Sequence, residues 1–304
     1  MKLNKADETE KAGYVVIVGK PNSGKSTLMN AILGTKLSIV THKAQTTRKR
    51  VLGIHTEGNT QLVFVDTPGV INPKYEMQRT MMNYVSESIH ESDVMLVLID
   101  LGKYESFNSY FHSETRSLIK SFTKPKIVVL NKTDLVHDKK TILPLISELI
   151  KLEQFDEIIP AAALIGENVD VIVENISKYI PECPFYFDPE LLSSHNERFF
   201  VSELIREVVY LAYHEEIPYS TEINIVEFKE RDKGKWYISA EVVIDRDSQK
   251  GIIIGKNGVK LKEIGEKARI QIEEHLGVPV FLELFVKVRP KWRDNPGALK
   301  NFGY

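Results

Sequence analysis

The sequence predicts a two-domain chain, an α/β domain with a doubly wound, mostly parallel sheet followed by a smaller α+β domain. Three observations lead there. Short apolar runs alternate with helix-length amphipathic stretches through the first 180 residues, the pattern of strands covered by helices on both faces. Three prolines, Pro181, Pro184 and Pro189, then fall close together in a stretch that reads as an interdomain connector. Beyond it the element order changes. The boundaries read as 1–180, a linker at 181–197, and 198–304.

In chain order, the strand-like runs are residues 14–18, 61–65, 94–99, 126–130 and 157–159, each short, apolar on both faces and ending in a loop. Helical stretches are expected at 27–33, 76–90 and 142–152. The second domain opens with a helical pattern at 198–213, then two strands at 222–228 and 235–244. The glycine-bearing run GIIIGKNG, a helix to about 276 and a last strand at 280–288 follow. No internal repeat or low-complexity segment occurs.

Composition excludes several classes. Forty basic and forty-two acidic residues give a net charge of −2, which rules out a uniformly basic nucleic-acid binder but not a local basic face. The single cysteine, Cys183, can form neither an intramolecular disulfide nor a Cys-rich zinc site. The opening residues are polar, without the apolar stretch of a secretory signal, and no apolar string approaches membrane-span length. A cytoplasmic location is expected. The eight histidines show no metal-ligand spacing.

Residues 19–26 read GKPNSGKS, the G-x-x-x-x-G-K-[ST] phosphate loop, with the strand YVVIV running in and the helical STLMNAIL running out. The loop spans Gly19, Lys20, Pro21, Asn22, Ser23, Gly24, Lys25 and Ser26, with Thr27 opening the helix. The glycines let successive backbone N–H groups point at phosphate oxygens, and the helix N-terminus adds positive potential. Lys25 is placed to reach the β- and γ-phosphates, and the Ser26 hydroxyl to ligate Mg2+.

Asp66-Thr67-Pro68-Gly69 ends the strand QLVFV. An aspartate at that edge can hold magnesium, and the Gly69 N–H can approach a γ-phosphate. Asn131-Lys132-Thr133-Asp134 follows the strand KIVVL. A carboxylate there accepts from both guanine N1–H and the exocyclic amine, a donor pair adenine lacks, so Asp134 selects guanine. Asn131 can support the loop and hydrogen-bond base N7, while the stem of Lys132 covers the ring.

In these motifs and their order, the first 180 residues resemble the phosphate-loop GTPases of the translation-factor class. The resemblance implies a magnesium-closing threonine within Ala44-Gln45-Thr46-Thr47-Arg48, with Thr47 preferred and Thr46 the alternative. Lys25, Thr47 and Gly69 would then serve hydrolysis, with Ser26, Thr47 and Asp66 around the metal. It also puts the last base-binding loop near Pro160-Ala161-Ala162-Ala163. There Ala162 replaces a usual serine, and the Ala163 N–H would contact guanine O6. Val70 stands where Ras-like enzymes carry a water-orienting glutamine, so unaided turnover should be slow. Arg48 and Arg79 lie in the candidate switch segments.

In the second domain, Gly255-Lys256-Asn257-Gly258 is a G-x-x-G turn between an apolar run and a helix. Such a turn admits a nucleic-acid backbone closely, and Lys256 and Lys260 add charge. The helix–strand–strand–helix–loop–helix–strand order is that of the prokaryotic KH type. From Lys250 to Lys300, eleven basic residues face six acidic ones, a local +5. The tail interleaves Lys287, Arg289 and Lys291 with Trp292. That arrangement reads either as a base-stacking segment or as an aromatic pin for the C-terminus.

A GTPase domain followed by this KH type resembles the Era family of bacterial GTPases. GKPNSGKSTLMN, HKAQTTRKRVLGIHTEG, Glu216-Ile217-Pro218-Tyr219-Ser220, GKNGVKLKEIG and the closing LKNFGY carry the match. The resemblance implies GTP and GDP as substrate and product, Mg2+ as cofactor, and RNA-stimulated hydrolysis. It also implies binding to the 3′ region of small-subunit ribosomal RNA, a part in small-subunit maturation, and a monomer with peripheral contact at the inner membrane face. Two readings compete: an RNA-binding protein whose nucleotide domain only senses GTP, and a membrane-acting GTPase. A tRNA-modifying GTPase would need a C-terminal cysteine, whereas Cys183 sits in the linker.

Overall fold

Apolar runs, buried on both faces in the central strands, become strands of a six-stranded sheet, ordered β2-β3-β1-β4-β5-β6. The strands are β1 (Lys11–Gly19), β2 (Val51–Glu57), β3 (Thr60–Asp66), β4 (Val94–Asp100), β5 (Lys126–Asn131) and β6 (Glu157–Ala161). All pairings are parallel except β2 with β3, which form an antiparallel hairpin at one edge. Every residue of β4 is buried, as its central place requires. The computed structural model describes residues 9–304.

Helices cover both faces. On one lie α1 (Lys25–Leu33) and α6 (Val169–Ser177), in contact with each other. On the other, α2 (Glu76–Glu91), α3 (Phe107–Tyr110), α4 (Ser113–Ser121) and α5 (Ile142–Lys151) close a core that includes Val85, Phe107, Tyr110, Ile119 and Leu149 over Val97 and Val128. Parallel strands send their C-terminal ends to one edge, which gathers the loops after β1, β3 and β5.

The chain divides into two compact units that do not follow one cut in sequence. The first takes the chain up to Ser38 with Thr47–Asn72 and Met82–Ser194; the second takes Ile39–Thr46, Pro73–Met81 and His195–Tyr304. Most of the stretch expected as a linker, 181–197, packs on the first unit. Gln61 Nε2 donates to Phe187 O at 2.9 Å, Ile54 N to Leu192 O at 2.8 Å and Ser193 Oγ to Leu52 O at 2.5 Å. These bonds make the stretch a strap across β2 and β3.

The second unit holds α7 (Glu197–Ala212), α8 (Ile217–Ser220), β7 (Glu222–Lys229), β8 (Trp236–Ile244), α9 (Asp247–Ile254), α10 (Val259–Leu276), β9 (Val280–Val288) and α11 (Pro296–Asn301). Its sheet runs β7-β8-β9, antiparallel then parallel. Residues of α7, α9 and α10 bury Val201, Ile205, Ile253, Ile264 and Ile272 against Ile238, Ala240 and Val242. Ile39–Thr46 lies along α7. Val40 N donates to Glu207 Oε1 at 3.0 Å and Tyr210 Oη to Gln45 O at 3.1 Å, and Lys43 Nζ bonds the carbonyls of Tyr210 and Tyr213. That ammonium satisfies carbonyls the helix end leaves open, and burial lowers its pKa.

Among the described residues, no helix is long and apolar enough to cross a membrane.

Candidate nucleotide site and nucleic-acid groove

The loop between β1 and α1 follows from its residues. Gly24 stands at φ 100°, and a Cβ there would fall on the Asn131 amide, so only glycine fits. Gly69 is equally confined: a Cβ would lie 2.8 Å from Pro21 N and 2.9 Å from Pro21 Cα. Gly69 therefore brings its backbone hard against the loop, and the next residue, Val70, donates its N–H to Gly19 O at 3.3 Å. The Val70 side chain packs in the core and offers nothing to a water.

Lys25 is buried, its Nζ 3.2 Å from Lys20 O and 3.4 Å from Gly19 O. Burial pushes this ammonium down to about 8, against the opposing pull of Asp66. Asp66 is fully buried, and burial raises its carboxyl despite Lys25 and the hydroxyls that bond it. Ser26 Oγ donates to Asp66 Oδ2 at 2.6 Å and lies 3.0 Å from Thr47 Oγ1, which is 3.3 Å from the same carboxylate oxygen. Asp66 Oδ1 is buried with no hydrogen-bond partner.

Two hydroxyls and a carboxylate with an unused oxygen form a hard oxygen set that suits Mg2+, which prefers a few protein oxygens completed by water and phosphate. Among the described residues, no group of three or more His, Cys, Asp or Glu could hold a metal instead. Thr46 points elsewhere, its Oγ1 bonding Thr41 Oγ1 at 2.6 Å and Lys43 O at 2.8 Å. Of the two threonines left open by the sequence, Thr47 is the one brought to Ser26 and Asp66. Thr67 anchors its own turn through a 2.8 Å bond to Ile17 O.

The loop after β5 is stapled to the phosphate loop. Asn131 Nδ2 donates to Ser23 O at 2.8 Å, and its Oδ1 accepts from Ala163 N at 3.0 Å. The Ala163 N–H expected on guanine O6 is thus given to Asn131, and buried Ala162 packs in place of the usual serine. Lys132 stands at φ 70° with Nζ on Asn22 O at 2.9 Å and Asp100 Oδ2 at 2.7 Å, which lays its stem along the loop. Asp134 is exposed in the following 3-10 turn, free to accept from a base edge. Lys20 lies over the Tyr110 ring at 4.4 Å, a cation–π contact sequence reading did not foresee. Of the two candidate arginines, Arg48 is buried, and Arg79 is exposed and paired with Glu76 at 2.7 Å.

In the second unit, Gly255 and Gly258 take φ 72° and 78°, turning the chain from α9 into α10. Lys256, Asn257 and Lys260 are exposed there. Beside this turn runs a groove of about 580 Å³ between α10 and β9, lined by Gly258, Leu261, Lys262, Gly265, Arg269 and Leu284 among others. Lys262, Gly265 and Arg269 escaped the sequence reading. The signal was present, since 258, 261–262, 265 and 269 share one helical face.

The tail residues are not brought to that groove. Alternate β9 residues Leu282, Leu284 and Val286 face the helices, which turns Lys287 to the opposite sheet face. There Lys287 pairs with Glu241 at 2.8 Å, and Arg289 lies 3.7 Å from the same carboxylate and 5.2 Å over the Phe302 ring. Lys291 is exposed at φ 55°. Trp292 corrects the stacking expectation. It is 1% exposed, donates Nε1–H to Ser220 O at 3.0 Å and meets Phe302 edge to face, so it pins the C-terminus and presents no face to a base.

Both parts of the chain match known protein families. Residues 14–132 match the family described as 50S ribosome-binding GTPase, and residues 216–293 match the KH domain. GTPase Era of Syntrophus aciditrophicus (strain SB) is 42% identical over 298 residues, 97% of this chain and 95% of that one. GTPase Era of Geotalea daltonii is 43% identical over 293 residues, covering 96% and 97%. A crystal structure of Era with MgGDPNP and nucleotides 1506–1542 of 16S ribosomal RNA superposes with TM-score 0.93 at 42% identity, covering 97% of this chain and 99% of that one. An Aquifex aeolicus Era variant bound to GDP·AlF4− gives TM-score 0.90 at 41% identity, with the same coverage.

Proposed function

The chain belongs to the Era family of GTPases, and on that premise we propose that it is a GTP-hydrolysing switch that binds small-subunit ribosomal RNA near its 3′ end and assists maturation of that subunit. The observation that carries the reading is the convergence of Ser26, Thr47 and Asp66 beside Lys25, in a loop that Asn131 ties to the base-reading turn. The proposed division is a GTPase domain over 1–180, a connector over 181–197 and a KH-type domain over 198–304.

Each residue has a role that follows from its position. Backbone N–H groups of residues 19–27 hold the phosphates, and Lys25, whose ammonium form burial disfavours, is held in that charged form on meeting them. Ser26, Thr47 and Asp66 would hold Mg2+, which supplies electrostatic stabilisation of charge on the transferring phosphoryl group. The Gly69 N–H, pressed toward the loop, meets the γ-phosphate. Asp134 selects guanine, and Asn131 and Lys132 keep its turn in place. Val70 orients no water, so basal hydrolysis is slow.

For the second domain, the supports are the G-x-x-G turn and the groove along α10, with Lys256, Lys260, Lys262 and Arg269 meeting the RNA backbone. Thr46 and Thr47, adjacent in sequence, belong to different units. Losing the γ-phosphate contacts of Thr47 and Gly69 therefore bears directly on segments of the second unit, and hydrolysis weakens RNA binding. The same reading makes the chain a cytoplasmic monomer with peripheral contact at the inner membrane face. Analytical ultracentrifugation and co-sedimentation with anionic vesicles test those two points.

The deciding experiment is single-turnover GTP hydrolysis with and without RNA matching the small-subunit 3′ tail, with Gly255→Asp/Gly258→Asp as control. Stimulation that vanishes in the control supports one RNA-dependent GTPase. Stimulation absent in both overturns the RNA role. No turnover above a Lys25→Ala variant would favour the GTP-sensing alternative.

A further inference from the structure

Asp100, the last residue of β4, is a buried carboxylate beside the base turn to which the nucleotide reading gives no role. It is 3% exposed and stands level with Asn131 in the parallel register of β4 and β5. Its own loop already orients it. Oδ1 accepts from Gly102 N at 3.1 Å, and the Asp100 N–H donates to the buried Tyr110 Oη at 2.9 Å. Oδ2 is left to accept from Lys132 Nζ at 2.7 Å, and among the described residues Lys132 is its one ion-pair partner. Lys132 has a use for that anchor. Its φ of 70° is uncommon for a residue with a side chain, and four methylenes are costly in entropy to hold still. The 2.9 Å bond to Asn22 O ties the ammonium at one point only. A charged acceptor shielded from water adds a stronger second bond, and two anchors confine the stem between them to few paths. Desolvation offsets most of the attraction in such a pair, so its consequence is orientation more than stability.

We infer that Asp100 is a positioning residue for the guanine base, acting through Lys132: it fixes the ammonium so that the methylenes already stand where the purine ring will lie. The inference rests on the reading of Asn131–Asp134 as the base-binding turn. A stem ordered in advance loses little freedom when nucleotide arrives, and the gain is felt chiefly as slower dissociation.

Asp100→Asn is the variant of choice, because its amide oxygen keeps the Gly102 bond while its NH2 group faces the ammonium. GDP and inosine diphosphate are titrated into the full chain and their dissociation is followed by stopped flow, with Lys132→Ala and the double variant alongside. Asp100→Asn should weaken both nucleotides about tenfold, mostly through faster dissociation. The factor should be the same for both, since the 2-amino group that distinguishes them is read by Asp134 and not by the lysine stem. In the Lys132→Ala background Asp100→Asn should have no further effect. Unchanged GDP affinity in Asp100→Asn, with Lys132→Ala weakened, would overturn the role of Asp100 and leave the base turn standing. Unchanged affinity in Lys132→Ala would overturn the base-turn reading and the inference with it. An additive loss in the double variant, or an altered GDP-to-inosine ratio, would also overturn it, because Asp100 would then support the turn as a whole and not the lysine.

Discussion

Thr46 and Thr47 are chemically identical neighbours with different partners, and that difference fixes what each substitution should do. Thr47→Ala removes a hydroxyl from the Ser26–Asp66 pair and should slow magnesium-dependent single-turnover hydrolysis by about 100-fold, the usual effect of losing one preorganised stabilising group. Thr46→Ala, which breaks only the bonds to Thr41 and Lys43, should retain basal hydrolysis in the same assay. Asp134→Asn should lose about 1.5–3 kcal/mol of GTP affinity and gain xanthosine triphosphate, because an amide can donate to the 2-oxo group where the carboxylate accepted. Competition binding with the two nucleotides reads this directly. Lys25 gives a pH dependence with a definite sign. Its pKa in the free fold is about 8, below the ordinary 10.5, so it sheds its proton as pH rises through 8. Phosphates favour the ammonium form and raise that pKa, so nucleotide binding should take up a proton just above pH 8 and weaken as pH climbs. Calorimetry in buffers of different ionisation enthalpy measures the uptake.

At the level of helices and strands, the α10–β9 groove makes a prediction separable from the glycine turn. Lys262→Glu and Arg269→Glu should each weaken RNA binding and lower its salt dependence by about one counterion, while Lys287→Ala should change either little, since it lies on the other sheet face, away from the groove. Trp292→Ala should cost the second unit about 3–5 kcal/mol in denaturant melts, as buried aromatics do, and Trp292→Phe should leave RNA affinity unchanged. Those residues also mark where the sequence was legible. The five parallel strands were plain because short apolar runs that end in loops and alternate with helix-length stretches read as buried parallel strands. Val51–Glu57 was missed because an antiparallel edge strand carries His55, Thr56 and Glu57 among its apolar residues and loses the continuous run. The phosphate loop, Asp66 and the Asn131–Asp134 turn were legible as local strings whose spacing implies their geometry. Trp292 was ambiguous because the partners that bury it, Ser220 and Phe302, are set by tertiary packing. The Asn131–Ala163 bond was unreadable for the same reason: it joins residues 32 positions apart.

For the molecule as a whole, reciprocity is the sharpest requirement. If GTP raises RNA affinity over GDP by some factor, RNA must raise the preference for GTP over GDP by the same factor. Equal RNA affinity in the two nucleotide states, measured by fluorescence anisotropy, would sink the switch. The second unit carries a further consequence because it is not contiguous along the chain. Glu207 and Tyr210 are buried under residues that come from positions 39–46, and the carbonyl end of α7 is neutralised by Lys43, more than 160 positions upstream. A fragment beginning at His195 would therefore be an incomplete object, a helix missing the chain that closes over it. Truncation at the apparent linker should yield a piece that melts earlier than it does in the intact protein, and a synthetic peptide of residues 39–46 should restore part of the loss.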